Sequence, residues 1–196
     1  FLFILGGAKF ETKLPLIQKF LKSADTVFVG GALATDIFKE KGYEIGKSLV
    51  SAEDFGIKEI LKDDKLKYPI DVTVKKIDGS LEYKNCDEVK ADDYIGDVGP
   101  KTIEMLGKFI SDAKFILWNG PLGNYEVGFK DKTEQLAKII SQSSAETIVG
   151  GGDTLASIQS LNLLDKFSFV STGGGAMLDF LANETLLGIE ALKISN

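Results

Sequence analysis

Five times in this chain an apolar run of strand length ends in glycine: FLFILGG from Phe1, TVFVGG from Thr26, FILWNG from Phe115, TIVGGG from Thr147 and FVSTGGG from Phe169. This recurrence constrains the fold more than any other feature. Glycine loses more conformational freedom on folding than any other residue, so doubled and tripled glycines persist only where something needs the backbone bare. Between the runs lie segments with helical periodicity. LPLIQKFLKSA places Leu14, Ile17 and Leu21 on one face, and TIEMLGKFISDA does the same with Ile103, Leu106 and Ile110. KTEQLAKIISQ and LASIQSLNLL repeat the pattern, and Pro100 in GPKT suits the first turn of a helix.

Apolar strands alternating with amphipathic helices make βαβ units, and hence a mostly parallel sheet covered by helices on both faces. The sequence therefore predicts an α/β, three-layer, Rossmann-like domain with about six strands. These are Phe1–Leu5, Thr26–Val29, Ile70–Val74, Phe115–Trp118, Thr147–Val149 and Phe167–Val170. The polar, turn-rich stretch Lys75–Asp93 is expected to hold one or two short strands or a surface excursion. No fixed-period repeat or low-complexity tract divides the chain, so residues 1–196 read as one domain. The chain opens at Phe1, without a Met and inside a strand, and further sequence is expected upstream.

At 196 residues and 44% hydrophobic, the chain can bury one sizeable core. No apolar run approaches the roughly 18–20 residues of a membrane helix, and no signal-peptide pattern is present. The net charge of −6, without long single-sign blocks, argues against nucleic-acid or membrane partners held by bulk electrostatics. All 23 basic residues are lysine, and histidine is absent too. That removes histidine-based nucleophilic catalysis, most zinc sites and bidentate guanidinium clamps. The single cysteine, Cys86, fits a reducing, cytoplasmic setting.

In an open α/β sheet, ligands sit beyond the carboxyl ends of the strands, where the five glycine clusters fall. Glycine lets backbone approach a ligand closely, and free N–H groups at a helix start attract anions. A nucleotide polyphosphate fits that description. The plainer alternative is tight strand-to-helix turns, for which single glycines suffice. Neither G-x-x-x-x-G-K-[ST] nor G-x-G-x-x-G occurs, so a nucleotide site here belongs to another class, and a dehydrogenase-like dinucleotide domain is disfavoured.

FILGGAKFETK, GGALATDIFKEKGYEIGKSL, DVGPKTIE, WNGPLGNYE, TIVGGGDT and FSFVSTGGGAMLDFL, in that order, resemble the C-terminal domain of phosphoglycerate kinase from Phe1 to Leu192. Members of that family have two α/β lobes, so the chain resembles the nucleotide lobe with the N-terminal one missing. The resemblance implies a soluble glycolytic enzyme, monomeric in full length. It moves a phosphoryl group between 1,3-bisphosphoglycerate and ADP, giving 3-phosphoglycerate and ATP, with Mg²⁺ on the nucleotide.

The resemblance implies roles residue by residue. Lys9, in GGAK, lies at the transferring phosphoryl group and Lys13 contacts the nucleotide phosphates; four residues apart on a helix start, the two would share a side, although surface lysines are usually only solvated. Asp153 holds Mg²⁺ and Thr154 a phosphate, while Asp at that place is also a good helix N-cap. Backbone N–H groups at Gly151 and Gly152 neutralise charge on the transferring group, the chief task in phosphoryl transfer. Glu126 accepts from the ribose hydroxyls, and Asn119 and Pro121 shape the same loop. Gly6, Gly7, Ala8, Gly30 and Gly31 line the adenine as flat backbone. Ala32 replaces a frequent third glycine, and Tyr94 stands where the family often carries Trp near Asp97. Trp118 ends an apolar strand and belongs in the core. Gly173–Gly175 are hinge-side glycines.

The arginines and histidine that the family uses on its other lobe to bind phosphoglycerate are absent, as a lone nucleotide lobe predicts. Such a chain binds nucleotide but does not complete the reaction alone. The alternative is a stand-alone nucleotide-binding or regulatory module without kinase activity.

Overall fold

The structure is a computed structural model that describes residues 1–51 and 56–194. The expected domain, 1–196, therefore includes 52–55 and 195–196, which lie outside the described residues. Six strands form one parallel sheet: β1 (Leu2–Leu5), β2 (Thr26–Val29), β3 (Leu66–Lys67), β7 (Phe115–Asn119), β8 (Glu146–Gly150) and β9 (Phe169–Ser171), in the order β3-β2-β1-β7-β8-β9. The remaining strands, β4 (Asp71–Lys75), β5 (Leu81–Asn85) and β6 (Tyr94–Val98), form a small antiparallel sheet in the order β5-β4-β6.

Side chains alternate across the parallel sheet as a strand period of two requires. Leu2 and Ile4 join one buried cluster while Phe3 and Leu5 join the other. The first cluster is closed by α4 (Pro100–Asp112), α5 (Asp131–Ser141) and α6 (Gly152–Ser160) through Ile103, Leu106, Ile110, Leu136 and Ile158. The second is closed by α1 (Phe10–Ser23), α2 (Ala32–Glu40), the short α3 (Ile57–Ile60) and α7 (Gly175–Asn183). A last helix, α8, spans Leu187–Ile194. Each fully buried Leu, Ile or Phe contributes roughly 1.5–3 kcal/mol over exposure, so two filled faces account for why both helix layers dock. The α/β, three-layer expectation holds. Trp118 lies fully buried in the first cluster, its Nε1–H donating to the Gly120 carbonyl at 2.9 Å.

Three local expectations need correction. The Ile70–Val74 run forms β4, but in the small antiparallel sheet; the sixth parallel strand is the two-residue β3, too short to show a period. Of the two alternatives for the polar stretch, short strands or a surface excursion, it holds one short strand, β5, and a further strand that the sequence reading lacks, β6, follows just beyond it. LASIQSLNLL is not helical throughout: α6 stops at Ser160, and Asn162 turns into the left-handed region at φ 56°.

The small sheet is pinned to the main body by two carboxylates. Asp71, on β4, accepts from the N–H groups of Lys101 (2.9 Å) and Thr102 (2.8 Å) in the first turn of α4. Asp97, on β6, accepts from the N–H of Lys132 in the first turn of α5 at 3.2 Å and from Val98 N–H at 2.9 Å. Each satisfies helix-end donors that have no intrahelical acceptor. Val72 and Val74 of β4, with Cys86 and Val89 from the segment between β5 and β6, pack on Ala34 and Phe38 of α2.

Candidate nucleotide site at the strand tips

Strand register brings the glycine tips level. Leu5 pairs with Val29 and with Asn119, Asn119 with Gly150, and Gly150 with Ser171. The five clusters thus leave one edge of the sheet side by side, and the strand order reverses between β1 and β7, the switch point at which open sheets place ligands. At that point the backbones are in contact. Gly6 N–H donates to the Asn119 carbonyl (2.8 Å) and Gly7 N–H to the Pro121 carbonyl (2.9 Å). A Cβ on Gly6 would lie 2.1 Å from the Pro121 oxygen, and one on Gly31 2.5 Å from the Gly7 nitrogen.

Above these tips, between the two sheets, lies a cavity of about 190 Å³. Gly7, Ala8, Gly31, Pro121, Glu126 and Asp153 are among its lining residues, so six of the expected site residues surround one space. Gly6, Gly30 and Asn119 are buried beneath it. Asn119 is in contact with α7, its Nδ2 lying 3.8 Å from Met177 Sδ. Lys9, Lys13, Gly151, Gly152 and Thr154 do not line the cavity; they gather at the starts of α1 and α6.

Lys9 caps α1 in the left-handed region (φ 66°), a conformation costing a non-glycine residue roughly 1–2 kcal/mol. Lys13, one turn on, sends its ammonium back to the Ala8 carbonyl at 2.7 Å and over Gly7. Burial, and then the positive charge of Lys9, holds the Lys13 pKa below its ordinary value. Neither lysine has a carboxylate partner among the described residues.

At α6 the cap position belongs to Gly151 (φ 99°) and not to Asp153, which sits exposed inside the first turn without a capping hydrogen bond. Its reading as an N-cap is thereby corrected. Thr154 is fully buried and its hydroxyl has no partner. Glu126 lies exposed in a 3-10 turn, Tyr125–Val127. Gly174 (φ 50°) caps α7. Among the described residues, no three His, Cys, Asp or Glu side chains are grouped to hold a metal ion by themselves. Mg²⁺ on a nucleotide needs fewer, commonly one or two carboxylates beside phosphate oxygens and water. A free Asp153 at a helix start, an unpartnered Thr154 hydroxyl and two lysines without counter-ions fit such a group.

Sequence reasoning missed several residues of the cavity wall. Asn124, Tyr125 and Thr35 line it, as does Asp97, whose carboxyl burial pushes up to about 7. Asn124 and Tyr125 stood inside WNGPLGNYE, but nothing local signals that a loop side chain will face a cavity built by a distant sheet.

An open, twisted α/β sheet with a cavity over glycine tips at its switch point defines a protein of the Rossmann-like class. Within that class, the family model for phosphoglycerate kinase matches residues 1–184, and the chain belongs to the phosphoglycerate kinase family. It is 40% identical to the phosphoglycerate kinase of Coxiella burnetii over 199 residues, covering 96% of this chain and 51% of that protein. It is likewise 40% identical to that of Macrococcus caseolyticus, over 98% of this chain and 51% of the relative. The solved structure of the Coxiella burnetii enzyme superposes with a TM-score of 0.87 at 39% identity, across 99% of this chain and 52% of that one. That of Pyrococcus horikoshii OT3 gives 0.80 at 31% identity, with the same coverage. The chain thus spans about half the length of the relatives it matches.

Proposed function

We propose that this chain is the nucleotide-binding lobe of a cytoplasmic phosphoglycerate kinase, a single domain holding ADP or ATP at the glycine tips. The full enzyme transfers a phosphoryl group between 1,3-bisphosphoglycerate and ADP in glycolysis; the lobe alone binds nucleotide without completing the reaction. The observation that carries the reading is the uncompensated positive charge at the β1 tip. Lys13 is partly desolvated, depressed further by Lys9, and without an answering carboxylate among the described residues. An anion placed there removes the mutual repulsion. Charge-assisted hydrogen bonds contribute roughly 1.5–3 kcal/mol each, enough to anchor a polyphosphate.

In this reading the base enters the cavity between the sheets, Glu126 accepts from the ribose hydroxyls, and the phosphates run toward Lys9, Lys13 and the start of α6. First-turn N–H groups at Gly151 and Gly152, which have no intrahelical acceptor, point at negative charge. Asp153 holds Mg²⁺, whose charge offsets that of the phosphate oxygens, and the Thr154 hydroxyl donates to a phosphate. Lys9 stabilises charge on the transferring group. The reaction needs positioning and charge neutralisation more than covalent help from the protein. The other lobe supplies the phosphoglycerate site and, on closure, excludes water.

Calorimetric titration of the chain with ADP, with and without Mg²⁺, tests this. One-site binding is expected, weakened in Glu126→Ala and stripped of its Mg²⁺ dependence in Asp153→Ala. A folded chain that binds no ADP would overturn the reading.

A further inference from the structure

α7 is fixed on the main body along its length. Leu178, Leu181 and Ala182 pack against the second buried cluster. At the far end, Lys19 of α1 donates to the Ala182 carbonyl at 3.4 Å and to the Glu184 carboxylate at 2.9 Å. From the first turn of this anchored helix the half-buried Met177 reaches under the tips of β7 and β8. A Cβ on Gly150 would lie 2.4 Å from Met177 Sδ and 3.1 Å from Asn119 Nδ2. The thioether therefore occupies the seat that a side chain on Gly150 would need. Methionine, unbranched and polarisable, suits an irregular gap of this kind.

The sulfur also orders its polar neighbour. A thioether accepts weakly and cannot donate, so the Asn119 carboxamide turns its N–H side to Sδ, at 3.8 Å. Its Oδ1 then faces the next turn, 3.4 Å from where a Cβ on Gly151 would stand. That turn has little stiffness of its own. Gly150, Gly151 and Gly152 run in sequence, and Gly151 caps α6 at φ 99°. Glycine carries the largest backbone entropy, so such a turn keeps one shape only when neighbours hold it. Close placement matters in phosphoryl transfer, where a misplacement of about 1 Å costs up to about a hundredfold in rate.

We propose that Met177 is a positioning residue for the phosphate end of the site, propping Gly150 and the Asn119 carboxamide from α7. It does not line the cavity and acts only through these two neighbours. The inference rests on the nucleotide reading above, in which Gly151 and Gly152 meet the phosphates. It separates the two ends of the nucleotide: the base and ribose, held across the cavity toward Glu126, do not depend on Met177.

The chain has two methionines, and Met105 packs on the opposite face of the sheet, against the first cluster. Carbon-13 labelling of the methionine methyl groups therefore gives two NMR signals, assigned with Met105→Leu. Saturation with MgADP is expected to shift the Met177 signal and leave that of Met105 in place, while adenosine moves neither. Calorimetric titration of Met177→Ala, with circular dichroism reporting the fold, should show ADP affinity lowered about tenfold, the equivalent of one charge-assisted hydrogen bond lost. Adenosine affinity should stay within about twofold, and Met177→Leu, which refills the seat, should recover ADP binding to within about threefold. A merely structural role would weaken both ligands alike. That result, an unchanged ADP affinity in a folded Met177→Ala, or no rescue by leucine overturns the proposal while leaving nucleotide binding standing. If Met177→Ala does not fold, the wild-type spectra decide: a Met177 signal indifferent to ADP overturns it. Failure of the wild-type chain to bind ADP removes both readings together.

Discussion

A methyl group added at Gly6, Gly31 or Gly120, at the tips of β1, β2 and β7, would come within 2.1, 2.5 and 2.4 Å of backbone atoms. Added at Gly152 or Gly175, past β8 and β9, it would meet nothing within 4 Å. The same residue type therefore answers two demands along one sheet edge. At the closed tips, glycine lets three strands converge at the switch point and packs the floor of the cavity. At the open tips the protein itself makes no use of the missing side chain at Gly152, which stands at the exposed start of α6. A bare backbone with nothing of its own to touch is the pattern expected where a ligand approaches.

The largest effect should come from the closed side. Gly120 combines φ 90° with a prospective contact 2.4 Å from the Gly6 carbonyl, so Gly120→Ala adds backbone strain to overpacking. Urea denaturation should show a loss on the order of 4 kcal/mol, or no folded protein at all. A loss below about 1 kcal/mol would break the comparison.

Asp97 belongs to the same closed region, its carboxyl filling the place of a Gly123 side chain. Burial raises it from 3.8 to about 7, so between those values the folded chain keeps a proton that the unfolded chain releases. Its contribution is full below the lower value and lost as pH rises through the upper one, by at most about 1.4 kcal/mol per pH unit. Urea midpoints measured from pH 4 to 8 should fall across that window, and Asp97→Asn should flatten the decline. An unchanged slope in the variant would assign the titration elsewhere.

On the open side, Gly152→Ala should leave stability unchanged or raise it by about 0.5–1 kcal/mol, because alanine is the better helix residue. Its ADP affinity should nevertheless drop about tenfold as the methyl group crowds the phosphate approach. Equal affinity by calorimetry would mean that nothing approaches there. The smallest effect is at Lys9, whose left-handed cap is strained: Lys9→Gly should gain roughly 0.5–1 kcal/mol in thermal unfolding while weakening the binding of ATP, which carries the transferring phosphoryl group. Stabilisation without loss of affinity would remove Lys9 from the phosphate site.

Much of the main body was legible beforehand because its signals are local. The alternation of apolar runs with helical periods names the elements, Pro100 marks the start of α4, and the glycine after each run marks its tip. The six cavity residues among those singled out lie in the glycine clusters or in WNGPLGNYE, where sequence position alone carries them to the strand tips. What escaped was non-local. Asp71 caps a helix some thirty residues away, Asp97 another, and Met177 reaches Asn119 from the far end of the chain.

The sequence by itself determined the class of fold, the two apolar faces of the sheet and the edge at which glycine gathers, since periodicity and backbone freedom are properties of short segments. Only the tertiary structure decided that the Ile70–Val74 run joins a second sheet, that this sheet roofs a cavity over the tips, and that Asn124 and Tyr94 meet on its wall. Strand pairing and cavity walls depend on which surfaces meet across the chain, and a local period of two is the same in either sheet.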